Sequence, residues 1–326
     1  MEHKNDTNPM DKQSGHMPGE GAPGTRAVQE TTGTAPGIRT GQETARHSRR
    51  MKRGEVRPGS AWALVTGAGS GIGRCYALRL AALGYRLVIV GNNAAPLEAV
   101  AGEIRRAAGA NASASFPEVR VMPMDLARVG AAQELHDRTA AEGIEIDVVI
   151  NNAGIFSFCD ILTTPAERIE RIILLHDLTV SQLCRLYAAD MVRRGVRGHI
   201  LNMSSYSLWM PFPGLALYSA SKAYMRSFSV AFAKEVRERG IRVTAVCPAG
   251  VATDLYGLTP YWQRIGRKLG VLITPDSCAR RGLKALWKGR RCIVPDWWNR
   301  AWIPFCKVLP MWVLRPVRRF TMKFQK

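Results

Sequence analysis

Tyr218 and Lys222 stand four residues apart in Tyr218-Ser219-Ala220-Ser221-Lys222. On a helix that spacing puts both side chains on one face. An ammonium beside a phenol favours phenolate and lowers the phenol pKa from its reference of ~10, so such a Tyr can give or take a proton near neutral pH. Ser205 lies 13 positions before Tyr218, with Ser204 beside it, and offers a hydroxyl to hold a substrate oxygen. A second cluster, Thr66-Gly67-Ala68-Gly69-Ser70-Gly71-Ile72-Gly73, follows an apolar run and opens a helical stretch. A phosphate approaching a helix start meets free N–H groups and the positive end of the dipole, and side chains would block it, so Gly is needed at 67, 71 and 73. A third, Asn151-Asn152-Ala153-Gly154, puts small polar residues where a strand would end facing a ligand. Taken singly, these are a helix face, a Gly-rich turn and an Asn-Gly turn. Their joint occurrence is hard to explain without a dinucleotide site beside a proton-transfer site.

The elements that must position them alternate. Apolar runs at Ala61–Val65, Arg86–Val90, Arg120–Pro123, Asp147–Ile150, His199–Met203 and Arg242–Cys247 read as strands. Helical stretches lie between them, at Arg74–Leu83, Pro96–Ala108, Gly130–Glu142, Pro165–Arg194 and Tyr218–Arg239. This alternation predicts an α/β fold with a doubly wound parallel sheet covered on both faces.

With order and spacing included, residues 60–255 resemble the short-chain dehydrogenase/reductase family. The resemblance implies a Rossmann-like fold with a seven-stranded sheet, a nicotinamide cofactor, no metal, and oxidoreduction of an alcohol or carbonyl. It makes Tyr218 the acid/base and Ser205 the anchor of the substrate oxygen. Lys222 then holds the nicotinamide ribose and lowers the Tyr pKa. It places Gly67, Ser70, Gly71, Ile72 and Gly73 at the pyrophosphate, Asn92 near the ribose, and Asp125 with Leu126 near the adenine. Asn152, Ala153 and Gly154 fall beside the cofactor, and Thr253 by the carboxamide. Three positions depart from the family pattern. His176 stands where many members carry an Asn that completes a proton relay, and is taken here as a catalytic candidate. Pro248-Ala249-Gly250 replaces Pro-Gly. Strand two ends in Gly91-Asn92-Asn93, with neither the acid that favours NAD(H) nor an Arg that clamps a 2′-phosphate. Gly91 leaves room for that phosphate, Asn92 is a neutral donor, and Arg74 opens the helix after the glycine turn, although the usual Arg position inside that turn is Ser70; NADP(H) is expected over NAD(H).

The chain has 326 residues, 46 Lys+Arg, 26 Asp+Glu and a net charge of +20. Residues 1–58 are poor in large apolar side chains and read as a disordered tail. Met10, Met17 and Met51 are alternative starts, and no signal peptide or membrane span is evident. Residues 59–289 form the expected catalytic domain, and 290–326 a basic, aromatic extension. Over 280–326 there are 13 Lys/Arg against one acid, Asp296, and five of the eight Trp. The charge alone would also fit nucleic acid, but cations among Trp and Leu suit an anionic membrane surface at least as well. Asp254–Pro275, with Leu255, Tyr256, Leu258, Tyr261, Trp262 and Ile265, reads as an apolar lid. Together these point to a cytoplasmic, peripherally membrane-associated carbonyl reductase with a hydrophobic, 3-oxoacyl or lipid-like substrate, possible as a homo-oligomer. A non-catalytic sensor or scaffold of the same fold is the alternative. The seven Cys form no C-x-x-C pair and read as single buried thiols in a reducing compartment.

Overall fold

Seven strands pair in parallel in a single sheet whose spatial order differs from the chain order. The computed structural model describes residues 60–109, 118–210, 212–253, 259–268 and 272–307. The expected N-terminal tail, Leu255, Tyr256 and Leu258 of the expected lid, and the extension beyond Lys307 lie outside the described residues.

The strands are β1 (Trp62–Thr66), β2 (Arg86–Gly91), β3 (Val119–Pro123), β4 (Ile146–Asn151), β5 (His199–Met203), β6 (Arg242–Val246) and β9 (Cys292–Ile293). Central strand β1 is buried along its whole length, which is why it reads as a continuous apolar run rather than an alternation. Its side chains still divide by a period of two. Trp62 and Leu64 enter one apolar layer with Leu183, Tyr187 and Met225. Ala63 and Val65 enter the other, with Tyr76, Leu80, Leu283 and Leu286. The first layer is covered by α3 (Ala131–Ala141), α5 (Val180–Arg193) and α6 (Ala216–Glu235). The second is covered by α1 (Gly71–Ala82), α2 (Ala94–Gly109) and α8 (Pro275–Trp287). A two-stranded sheet of β7 (Gly250–Val251) and β8 (Leu272–Ile273) and the helices α7 (Pro260–Lys268) and α9 (Trp297–Lys307) lie outside these two sets of covering helices.

Two local features differ from expectation in ways that matter for the site. Helix α1 starts at Gly71 rather than Arg74, so the glycine turn itself forms the first helical turn. The long helix expected over Pro165–Arg194 is α4 (Ala166–Ile173), a π-helical turn at Leu174–Thr179, and α5. Such π turns recur at functional sites because the widened ladder re-aims side chains; here it carries His176.

The strand order reverses between β1 and β4, since β2 and β3 extend one way from β1 and β4 to β6 the other. In open α/β sheets that reversal opens a crevice at the carboxyl ends of the strands. A buried polar chain aligns its floor. Asn151 Nδ2 donates to Asn202 Oδ1 at 2.8 Å, and Asn202 Nδ2 to Ser229 Oγ at 2.8 Å, tying β4, β5 and α6 together.

Candidate active site

A cavity of about 440 Å³ fills that crevice. Its walls bring together Gly67, Ser70, Gly71, Ile72, Asn92, Asp125, Leu126, Asn152, Ala153, Gly154, Ser205, Tyr218, Lys222 and Thr253, each singled out from the sequence. Gly73 and His176 stand behind the wall rather than in it.

The glycine turn is held by its neighbours. Thr66 Oγ1 accepts the N–H groups of Asn152 and Ala153, both at 3.0 Å. Asn152 Nδ2 donates back to the carbonyls of Thr66 and Gly67 at 3.1 Å. Gly67 takes a φ of 63°, and a Cβ there would sit 2.8 Å from Ala153 Cα. A Cβ on Gly73 would lie 2.0 Å from the Gly67 carbonyl oxygen, so only Gly lets helix and turn approach this closely. Ser70, at the N-cap of α1, spends no side-chain bond on the helix N–H groups. Those donors point at the cavity, as a phosphate-bearing ligand requires. The residues present therefore fit a dinucleotide.

Asp125 Oδ1 accepts the Ala127 N–H at 2.9 Å, and Oδ2 meets Arg171 at 3.0 Å. Burial alone would raise its pKa, but the Ala127 bond and Arg171 outweigh it and keep the carboxylate below its usual range. Arg74 corrects one expectation: its guanidinium is taken by Glu103 of α2, and it does not line the cavity. Arg171, which the sequence did not single out, does line it.

At the other end, Ser205 Oγ accepts the Ser207 N–H at 3.1 Å, which leaves the Ser205 hydroxyl proton free to donate into the cavity. Tyr218 is packed edge-on against Phe156, ring centroids 5.1 Å apart. Lys222 lies one helical turn on, its Nζ 5.6 Å from the Tyr218 ring centroid and 3.1 Å from the Met203 carbonyl oxygen, to which it donates. Burial pushes the Lys222 pKa down from 10.5 to about 8, against the opposing pull of Asp177.

His176 is fully buried and both its ring nitrogens are engaged. Nε2 accepts the Ile155 N–H at 3.0 Å, which assigns the remaining proton to Nδ1, 2.9 Å from Ser221 Oγ. Ser221 in turn donates to the Tyr218 carbonyl oxygen at 2.9 Å. Burial and the Lys222 charge hold the imidazole neutral. This geometry ties the loop after β4 to the helix that carries Tyr218.

Gly91, expected to leave room for a 2′-phosphate, lines the cavity, and Phe156, Leu175 and Met203 also line it without having been singled out. Phe156 follows the Asn-Asn-Ala-Gly turn closely enough that an aromatic there was a usable signal; Leu175 and Arg171 are brought in only by the packing of α4 and the π turn. Within the expected lid over Asp254–Pro275, Tyr261 and Ile265 do not line the cavity, and Tyr261 is exposed. No cluster of three potential metal ligands occurs among the described residues, and none of the described helices is long and apolar enough to cross a membrane.

The short chain dehydrogenase family model matches residues 61–263. The chain belongs to this family. Members similar to it include the probable oxidoreductase EphD of Mycobacterium tuberculosis, 34% identical over 219 residues, covering 66% of this chain and 36% of EphD. The very-long-chain 3-oxoacyl-CoA reductase of Anas platyrhynchos is 36% identical over 210 residues, covering 62% of this chain and 64% of that protein. The chain thus spans less than two thirds of the length of either relative. Among solved structures, a short-chain dehydrogenase from Sphingobium yanoikuyae in complex with NADPH superposes with a TM-score of 0.63 at 28% identity, over 77% of this chain and 96% of that one. A 7β-hydroxysteroid dehydrogenase superposes with a TM-score of 0.67 at 25% identity, over 76% and 92%.

Proposed function

We propose that the protein is an NADP(H)-linked oxidoreductase that reduces the carbonyl of a hydrophobic substrate, of the 3-oxoacyl or lipid-like class, or oxidises the corresponding alcohol. The observation that carries this reading is that Ser205, Tyr218 and Lys222 line the same cavity as the glycine turn. The nicotinamide cofactor, when bound, supplies or accepts the hydride. Gly67, Gly71, Ser70 and Asn152 shape the bed for its phosphates, and Asp125 with Leu126 flanks the adenine end. Ser205 donates its free O–H to the carbonyl oxygen and fixes its orientation. Tyr218 Oη gives the proton to that oxygen in reduction, and takes it in oxidation. Lys222, held by Met203, keeps a positive charge beside the Tyr218 ring and would hold the nicotinamide ribose. His176 acts by positioning Ile155 and the start of α6, not by moving a proton. Gly91 and Asn92 support NADP(H), since no carboxylate repels a 2′-phosphate there; with Arg74 bound to Glu103, the preference is modest.

The hydrophobic substrate class rests on Phe156, Ile155, Leu175 and Met203 around the reacting end of the cavity. It is in keeping with the reductase named above. Exposed Trp302 and Phe305 of α9, 45% and 60% accessible, support contact with a lipid surface. Purified protein is to be mixed with NADPH or NADH and with ketones and 3-oxoacyl thioesters of increasing chain length, following absorbance of the reduced cofactor. Turnover that improves with chain length is expected. Cofactor binding without turnover of any carbonyl would overturn the reading in favour of a sensor or scaffold.

A further inference from the structure

Two of the cysteines expected to be isolated buried thiols are neither isolated nor equally buried. Strands β6 and β9 pair with Ala245 opposite Cys292. Cys247, two residues beyond Ala245, therefore points to the same side of the sheet as Cys292. Their sulfurs lie 3.8 Å apart. Cys247 is fully buried, so it keeps its proton, because burial disfavours the thiolate. Cys292 is half-buried at the sheet edge. It receives the Cys247 S–H, and the guanidinium groups of Arg226 and Arg300 stand by it, so its pKa falls well below the ordinary thiol range. Half-buried Cys159, by contrast, has only the hydroxyls of Ser157 and Thr164 beside it among these contacts.

We propose that Cys292 and Cys247 form a hydroperoxide-reactive modification site, with Cys292 the attacking thiolate and Cys247 the resolving thiol. Cys292 Sγ bonds to one oxygen of the hydroperoxide as the O–O bond breaks; the other oxygen leaves and takes up a proton as the alcohol or, from hydrogen peroxide, as water. Cys292 is then a sulfenic acid. Cys247 Sγ bonds to the Cys292 sulfur, the S–O bond breaks, and the hydroxyl leaves with the Cys247 proton as water. Two thiols are oxidised to a disulfide and one hydroperoxide is reduced. Closing 3.8 Å to a bonded ~2.05 Å requires the two side chains to rotate, with any remaining adjustment taken up by the backbone. Strand β9 is two residues long and pairs on one side only, so it is the element able to move.

The link would act on the catalytic cavity. Cys247 directly precedes Pro248, which lines it. The Cys247 sulfur also meets the Ser204 side chain, and Ser204 Oγ donates to the Lys222 carbonyl oxygen at 2.7 Å. The disulfide form is therefore expected to bind NADPH several-fold more weakly than the dithiol form.

The test treats the reduced full-length protein with hydrogen peroxide, alkylates the remaining thiols and maps the peptides. The expected product is a linked Cys247–Cys292 peptide pair that dithiothreitol removes. In Cys247→Ser the reaction should stop at a Cys292 sulfenic acid, trapped by a 1,3-dione; in Cys292→Ser, Cys247 should remain alkylatable after denaturation. A wild-type protein whose Cys292 stays alkylatable, or whose Cys159 oxidises as fast, would overturn the proposal. So would a linked protein whose NADPH affinity matches that of the reduced form. The affinity readout rests on the cofactor reading above: if the reduced protein fails to bind NADPH, that reading fails, and the peptide map alone decides the thiol chemistry.

Discussion

Lys222 should weaken the fold it serves, and replacing it by Met measures by how much. Its ammonium is buried, and its pKa falls from 10.5 to about 8. The unfolded chain therefore still holds that proton between pH 8 and 10.5 while the folded chain has released it. Stability should rise with pH across that window, and below pH 8 the whole penalty applies. The fall in pKa corresponds to ~3 kcal/mol, at ~1.4 kcal/mol for each tenfold change in proton affinity. Lys222→Met keeps the length of the side chain and removes the charge, but gives up the bond to Met203, worth ~1 kcal/mol, and leaves Asp177 without its cation. A net gain of ~1–2 kcal/mol at pH 7 is expected, shrinking towards zero by pH 10, with turnover lost. Urea denaturation of both proteins at the two pH values, read through the shift in midpoint at constant slope, measures it. A variant less stable than wild type at pH 7, or a difference that does not change between pH 7 and pH 10, would refute the reasoning.

Gly73→Ala forces a Cβ to within 2.0 Å of the Gly67 carbonyl oxygen, so it should cost ~1–3 kcal/mol in denaturation and weaken NADPH binding more than tenfold by titration. Ser205→Ala removes the proposed donor to the substrate oxygen and also the acceptor for Ser207 N–H; turnover should fall ~10²-fold or more with little change in cofactor affinity, seen in parallel kinetics and fluorescence titration. The full-length protein should sediment with anionic vesicles and less so as salt rises, because each cation near the surface contributes ~1 kcal/mol within a Debye length of ~8–10 Å while apolar contacts from Trp302 and Phe305 are not screened. Neutral vesicles and duplex DNA are the comparisons, and equal binding to DNA would shift the reading to nucleic acid.

Elements with strong local signals were legible in the sequence. Of the six expected strands, β1, β2, β4, β5 and β6 are buried apolar runs while edge strand β3 buries only Met122, and all six lie within one or two positions of expectation. The glycine turn was legible because the close approach of Gly73 to Gly67 and the positive φ of Gly67 demand glycine. Contacts made at long range were not. Arg171 reaches the cavity through Asp125, 46 residues earlier, and the pair of Arg74 with Glu103 spans 29 residues. The π turn at Leu174–Thr179 looks like ordinary helix in its residue types, yet it sets where His176 points. Strand β9, two residues long, has no periodicity to read, so the closeness of Cys247 to Cys292 across it was invisible.

The central claim is that Tyr218 is the proton donor and acceptor of a carbonyl–alcohol interconversion. Tyr218→Phe removes only the hydroxyl and keeps the ring against Phe156. The direct measurement is turnover of the best carbonyl found in the chain-length screen, set beside NADPH affinity, for wild type and variant. The account predicts a fall in turnover of ~10²–10⁴-fold with cofactor affinity nearly unchanged. A variant that keeps more than about half of the wild-type rate, with NADPH bound as before, would contradict it, since general acid catalysis of the usual size cannot be lost so cheaply.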